Sequence, residues 1–191
     1  MRFGRYALLL FGAALWIWMG VSIAAHTPKK IVKATILQSS KPIRHLDDPV
    51  RVKKKEILWL DKIYFLRGNE LKNPVYGYLG YTNNFIIFFD TDMVLDSDKY
   101  IHFVVYSDDG FRLSLDGKSL MEYLGDRPYS KNEVVVPVSK GRHHLRVKYF
   151  QGFGQLGVAA FYGVGDTKEK ALVAKLHFIG VDSDGVKFVK Q

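Results

Sequence analysis

Apolar residues recur at every second position along most of this chain. Ile57, Trp59, Ile63 and Phe65 set the pattern, and Ile101, Phe103 and Val105 alternate with His102, Val104 and Tyr106. Phe111, Leu113 and Leu115 alternate with Arg112, Ser114 and Asp116, and His143, Leu145, Val147 and Tyr149 with Arg142, His144, Arg146 and Lys148. A period of two predicts strands with one face in a core. Phe85–Phe89 is a continuous apolar run of strand length, the pattern of a strand buried on both faces. Val134–Val138, Leu156 to Ala160, Leu172–Ile179 and Val186–Val189 complete the series. Asp109-Gly110, Asp116-Gly117, Lys140-Gly141, the stretch Gly152 to Gly157 and Asp184-Gly185 divide the runs as turns. Between these strands, Leu120–Leu124 or Thr167–Leu172 offers a helix of one or two turns. Many short strands between turn signals predict an all-β fold, an antiparallel β-sandwich over residues 56–191.

The first 55 residues read differently. Ala7–Ala25 carries no charge over 19 residues, with Leu15, Trp16 and Trp18 near its middle, and follows Arg2 and Arg5. At about 1.5 Å per residue a helix of this length just crosses a hydrocarbon core of about 30 Å. Residues 1–25 are therefore expected to be a hydrophobic helix acting as a signal anchor, N-terminus inside. The alternative is a signal peptide cleaved after Ser22-Ile23-Ala24. Residues 26–55, with Pro28, Pro42 and Pro49, read as a basic tether in which Ile31–Leu37 has the character of a short strand or an amphipathic helical fragment.

Charge sharpens this division. The net charge of +9 falls on the first 55 residues, because residues 56–191 carry 17 basic and 17 acidic side chains. Nucleic-acid-binding domains usually carry their excess charge on the folded body, so no nucleic-acid partner is expected. A basic stretch beside an apolar run suits anionic lipid headgroups or plain solvation. No cysteine is present, which excludes disulfides, zinc–thiolate sites and cysteine nucleophiles.

One stretch carries a more specific pattern. Residues 100–118 read Tyr100-Ile-His-Phe-Val-Val-Tyr-Ser-Asp-Asp-Gly-Phe-Arg-Leu-Ser-Leu-Asp-Gly-Lys. Val134–Val138 follows, then Lys140-Gly-Arg-His-His-Leu-Arg-Val-Lys-Tyr-Phe, then Gly157–Tyr162. In order and spacing this resembles the β-sandwich domain named for the anthrax toxin protective antigen, a jelly-roll-like fold also found in fungal flocculation adhesins and as glycosidase inserts. The resemblance implies a non-catalytic binding module, often for carbohydrate. It implies ligand contacts from the loops around Asp108, Asp109 and Gly110 and around Gln151, Phe153 and Gln155. It also implies calcium as the cofactor, held by Asp108 and Asp109 as in the adhesin members. Calcium takes six to eight oxygen ligands, and the corresponding loop here, Gln151–Gln155, offers no Asp or Asn. The other reading of the aspartate pair is hydrogen bonding to backbone amides near the turn at Gly110.

Other constellations carry less. Asp90 to Asp98 holds four carboxylates in nine residues but lacks the glycine and closing glutamate of an EF-hand, and reads as a solvated acidic loop. Gly152-Phe-Gly-Gln-Leu-Gly matches a dinucleotide fingerprint by letter only, since a strand follows it instead of a helix. His143 and His144, adjacent in a strand, point to opposite faces and share no metal. Arg142, His144, Arg146 and Lys148 make a cationic stripe that fits either a wet sheet face or an acidic partner.

Two functions remain in view, neither enzymatic. One is a glycan-binding module of the cell envelope, held on the periplasmic or cell-surface side of a bacterial inner membrane, or secreted if the leader is cleaved. The other is a scaffold that engages an envelope protein within a larger assembly, such as a secretion or motility machine.

Overall fold

The computed structural model describes residues 29–191. The apolar segment from Ala7 to Ala25, with Leu15, Trp16 and Trp18, lies outside the described residues. Two antiparallel sheets face each other. The first contains β1 (Val32–Ser39), β2 (Val52–Leu60), β6 (Phe85–Leu95), β8 (Phe111–Leu115), β9 (Lys118–Tyr123), β11 (Gly141–Gln151) and β14 (Val186–Val189). Its order is β2-β1-β6-β11-β8-β9, with β14 joining β6 beyond the end of β1. The second contains β3 (Tyr64–Gly68), β4 (Lys72–Asn73), β5 (Gly77–Tyr78), β7 (Lys99–Asp108), β10 (Ser130–Val138), β12 (Leu156–Gly165) and β13 (His177–Phe178). Its order is β10-β7-β12-β3-β4-β5, with β13 on β12. Among the described residues there is a single short helix, α1 (Lys168–Leu172), capped by the Thr167 hydroxyl, which accepts from the Lys170 amide. The other candidate helix, Leu120–Leu124, is strand up to Tyr123, within β9.

The alternation read from the sequence becomes the core. Phe65, Phe85, Phe89, Phe103, Phe111, Tyr149, Tyr162 and Phe188 are fully or almost fully buried between the sheets. The expected tether over residues 26–55 is corrected here. β1 is a central strand, paired with β2 through Val32↔Leu60 and with β6 through Lys33↔Asp90 to Gln38↔Phe85. The intervening segment folds across the outer face of the first sheet. There Ile43 and Leu46, each at most 1% exposed, pack on Ile86 and Phe150 as a second, smaller core. This explains the continuous run Phe85–Phe89. Phe85, Ile87 and Phe89 face the main core, while Ile86 lies under Ile43 and Leu46. Burying apolar surface on both faces of β6 stabilises the fold by about 25 cal/mol per Å² removed from water.

The acidic segment 90–98 is likewise corrected. Asp90, Thr91 and Asp92 lie within β6, and only residues after Leu95 form the turn to β7. Asp90 and Asp92 meet the cationic stripe of β11, with Arg146 Nε 2.6 Å from Asp90, Arg142 Nε 2.6 Å from Asp92 and His144 Nδ1 3.1 Å from Asp92. Lys148 reaches Asp47 at 3.1 Å, and Arg112 makes a two-point contact with the same carboxylate. The Arg112 hydrogen bond leads in holding the Asp47 carboxyl down at about 2. The stripe is thus largely compensated by neighbouring carboxylates on its own sheet face.

Candidate functional site

One end of the sandwich gathers the β7–β8 turn, the β9–β10 loop, the β11–β12 loop, residues 79–84 before β6, and the segment after β1. Gln151 pairs with Phe85, and Leu156 pairs with Gly68, so the register itself brings these loops together. The Asp108-Asp109-Gly110 sequence sits at their centre. Asp108 and Asp109 are 6% and 4% exposed. Asp109 ties two loops together, its Oδ2 accepting from the Gly152 amide at 2.9 Å and its Oδ1 from the Arg127 amide at 3.3 Å. The reading of the pair as an acceptor of backbone amides therefore describes Asp109, although the amides belong to distant loops. Burial pushes the Asp109 carboxyl up to about 6, against those two hydrogen bonds. Burial also raises Asp108, opposed by the charges of Arg67 and Arg127 and by the Tyr129 amide.

Two glycines are required here by close approach. A Cβ on Gly110 would stand 2.5 Å from both the Phe150 ring and the Tyr123 carbonyl oxygen. A Cβ on Gly152 would stand 2.7 Å from the Ile43 carbonyl oxygen.

The residues expected to contact ligand divide into two groups. Asp108, Asp109, Gly110 and Gln151 form a buried support. Gln151 is fully buried, with Oε1 3.0 Å from the Tyr149 hydroxyl and Nε2 donating to the Gln155 carbonyl oxygen at 2.9 Å. The same Tyr149 hydroxyl lies 2.5 Å from the Asp108 carbonyl oxygen. Phe153 and Gln155 instead face solvent, and Phe153 is 78% exposed at the tip of the β11–β12 loop. With Asn69, Thr82, Asn83 and Gly154 they line an open cavity of about 370 Å³. Asn69, Thr82 and Asn83 carry no signal in sequence beyond ordinary loop composition. Gln155 is braced from behind, its Oε1 accepting from Arg67 Nη2 at 3.0 Å. An aromatic face ringed by amides and a hydroxyl offers stacking plus paired donors and acceptors. A wider cleft of about 530 Å³ opens between Asp98, Tyr100, Pro137 and Asp166, where Lys99 closes on Asp166 at 2.7 Å. It has neither an exposed ring nor a link to the Asp108–Gly110 turn.

The expected calcium ion does not suit this donor set. Both Asp109 oxygens accept amide hydrogens, Asp108 lies in the field of two guanidinium groups, and the Gln155 oxygen is taken by Arg67. Among the described residues no three His, Cys, Asp or Glu side chains converge as metal ligands. Among the described residues, the side-chain oxygens left free at this turn fall short of the six to eight that calcium takes.

No known family profile matches the chain, and no curated protein matches it in sequence. Solved structures share its fold. The PA14 domain of the MpAFP antifreeze protein is 11% identical, covering 86% of this chain and 94% of its own, at a TM-score of 0.63. The PA14 sugar-binding domain from an RTX adhesin is 11% identical over 76% of this chain and 93% of its own, at 0.59. The epithelial adhesin 9 A domain from Candida glabrata, in complex with Galb1-3GlcNAc, is 10% identical over 84% of this chain and 89% of its own, at 0.57. The PA14 fold is related to that of the protective-antigen domain, so the fold implied by residues 100–118 is the fold observed.

Proposed function

We propose that this chain is a non-catalytic glycan-binding module whose contact surface is the cavity around Phe153. The observation that carries the reading is the pairing of an almost fully exposed ring with Asn69, Thr82, Asn83 and Gln155 around one open hollow. The apolar face of a sugar ring stacks on an aromatic side chain, while side-chain amides meet its hydroxyls through both donor and acceptor atoms. That two fold neighbours are described as a sugar-binding domain and as an adhesin domain in complex with a disaccharide supports the choice of ligand class. Glycan-array screening followed by calorimetric titration of the best ligand tests it. Phe153→Ala is expected to weaken binding about tenfold or more while leaving the melting midpoint unchanged, because the ring supports no core. An array without hits, or titrations identical for wild type and variant, would sink the reading.

The segment Ala7–Ala25 is assigned the role of anchor, holding the module on the outer face of an inner membrane. Protease protection in spheroplasts, compared with whole cells, checks the side on which residues 29–191 lie.

A second reading, the envelope scaffold, draws on a different surface. Tyr64, Tyr106, Tyr129, Phe161 and Phe178 form a connected, half-buried aromatic row on the outer face of the second sheet, with neighbouring ring centroids 4.4–6.1 Å apart. In-cell crosslinking from Tyr106 that yields one stoichiometric protein partner would favour it over the glycan module.

A further inference from the structure

We propose that the loop end is organised by an internal cation, the guanidinium of Arg127, and needs no divalent metal ion. Arg127 lies in the β9–β10 loop and acts twice on the aspartate turn. Its backbone amide donates to Asp109 Oδ1. Its side chain then turns inward, with Nη2 donating to Ser107 Oγ at 2.7 Å and Nη1 to Asn132 Oδ1 at 2.5 Å. Ser107 Oγ in turn donates to the Asp109 carbonyl oxygen at 2.7 Å, closing a ring of contacts around the turn. The guanidinium carbon stands 4.4 Å from the Tyr123 ring centroid and 5.5 Å from that of Phe111, so aromatic faces hold the cation from the side. Nε is buried with no protein partner among the described residues.

The carboxyl groups at this end are already engaged. Asp108 lies in the fields of Arg67 and Arg127, and Asp126 is 3.4 Å from Arg44 Nη1. Asp109, the third carboxyl group here, accepts from the Gly152 and Arg127 amides. A divalent ion entering beside Asp108 would meet fixed positive charge and a ligand set already engaged. Arg127 does instead what a bound metal ion does in a loop cluster, drawing separate segments onto one centre of charge. Through Asp109 and the Gly152 amide it sets the loop that carries Phe153, which makes it a positioning residue for the cavity. The proposal concerns what holds the loops, and its readouts involve no glycan, so it stands or falls separately from the glycan reading.

The test uses the full chain in detergent, stripped with chelator, and calcium chloride alone as the probe. Calorimetry is expected to give no saturable heat, and the melting midpoint is expected to be the same in chelator and in millimolar calcium. Saturable calcium binding accompanied by a rise in midpoint overturns the proposal, as mass action requires of any ion that binds only the folded state. Arg127→Gln and Arg127→Lys test the cation itself. The midpoint of Arg127→Gln is expected to fall below those of both wild type and Arg127→Lys. A midpoint for Arg127→Gln equal to that of wild type overturns the assignment, and the wild-type calcium titration decides the metal question even if that variant does not fold.

Discussion

At the scale of single residues, Asp109 is the most consequential side chain at the loop end, and its protonation carries a signed prediction. Burial raises its folded-state value to about 6 from the ordinary 3.8. The folded protein therefore holds the proton more tightly than the unfolded chain does. The stabilisation is fully present below about 4 and is lost as pH rises through about 6. Asp47 has the opposite sign and a separate window. Held at about 2 by Arg112 and Lys148, it contributes stability above its unfolded value that disappears as pH falls from about 4 toward 2. Denaturant titrations of wild type and Asp109→Asn between pH 4 and pH 6.5 should converge toward parallel behaviour only at the ends of that interval. A wild-type-minus-variant difference that does not fall with rising pH would contradict the burial of this carboxyl. Gly110 gives a purely steric counterpart. Gly110→Ala sets a methyl group against the Phe150 ring and the Tyr123 carbonyl oxygen, and an overpacking loss of about 1–3 kcal/mol is expected in equilibrium unfolding.

At the scale of elements, the segment between β1 and β2 shows why part of the fold was readable and part was not. Period-two burial located β7, β8, β11 and β12 because each offers an apolar face to one core, and the continuous run Phe85–Phe89 located the first half of β6. The segment 40–51 has no period. Its two apolar anchors, Ile43 and Leu46, stand among prolines and charges, so composition argued for a tether. The missing clue lay elsewhere in the sequence. Phe85–Phe89 is apolar on both faces, and Phe150 breaks the polar face of β11, so both outward patches need a cover that no other strand provides. The Leu46 amide also donates to the Leu124 carbonyl oxygen at 2.8 Å, which docks this cover on the β9–β10 loop. Leu46→Ala is expected to cost about 2–5 kcal/mol in denaturant unfolding, whereas Lys53→Ala, on the exposed edge strand β2, should fall within about 0.5 kcal/mol. Equal values for the two variants would return the segment to the status of a linker.

At the scale of the whole molecule, the same observation moves the boundary of the folding unit. Pattern alone opened the sandwich at residue 56, yet β1 supplies Val32, Ala34 and Ile36 to the main core, all fully buried. It also pairs along one side of β6 from Phe85 to Asp90. The candidate site was legible to a similar depth. The turn at Asp108–Gly110 and the loop around Phe153 were singled out by the family resemblance. Arg127, Asn69, Thr82 and Asn83 were not, because they meet the site only through long-range register. A chain of residues 56–191 would lose β1 and the first part of β2, expose Ile86 and leave an unpaired edge on the most apolar strand. Such an edge is a template for association with other chains, and the lost core contacts exceed the margin of a typical domain. A chain of residues 29–191 should therefore melt in one cooperative transition followed by circular dichroism, while residues 56–191 should aggregate or melt without cooperativity. If the shorter chain melted cooperatively at the same midpoint, β1 would be an accessory strand, and the second core around Ile43 and Leu46 would have no part in holding the loops that shape the Phe153 cavity.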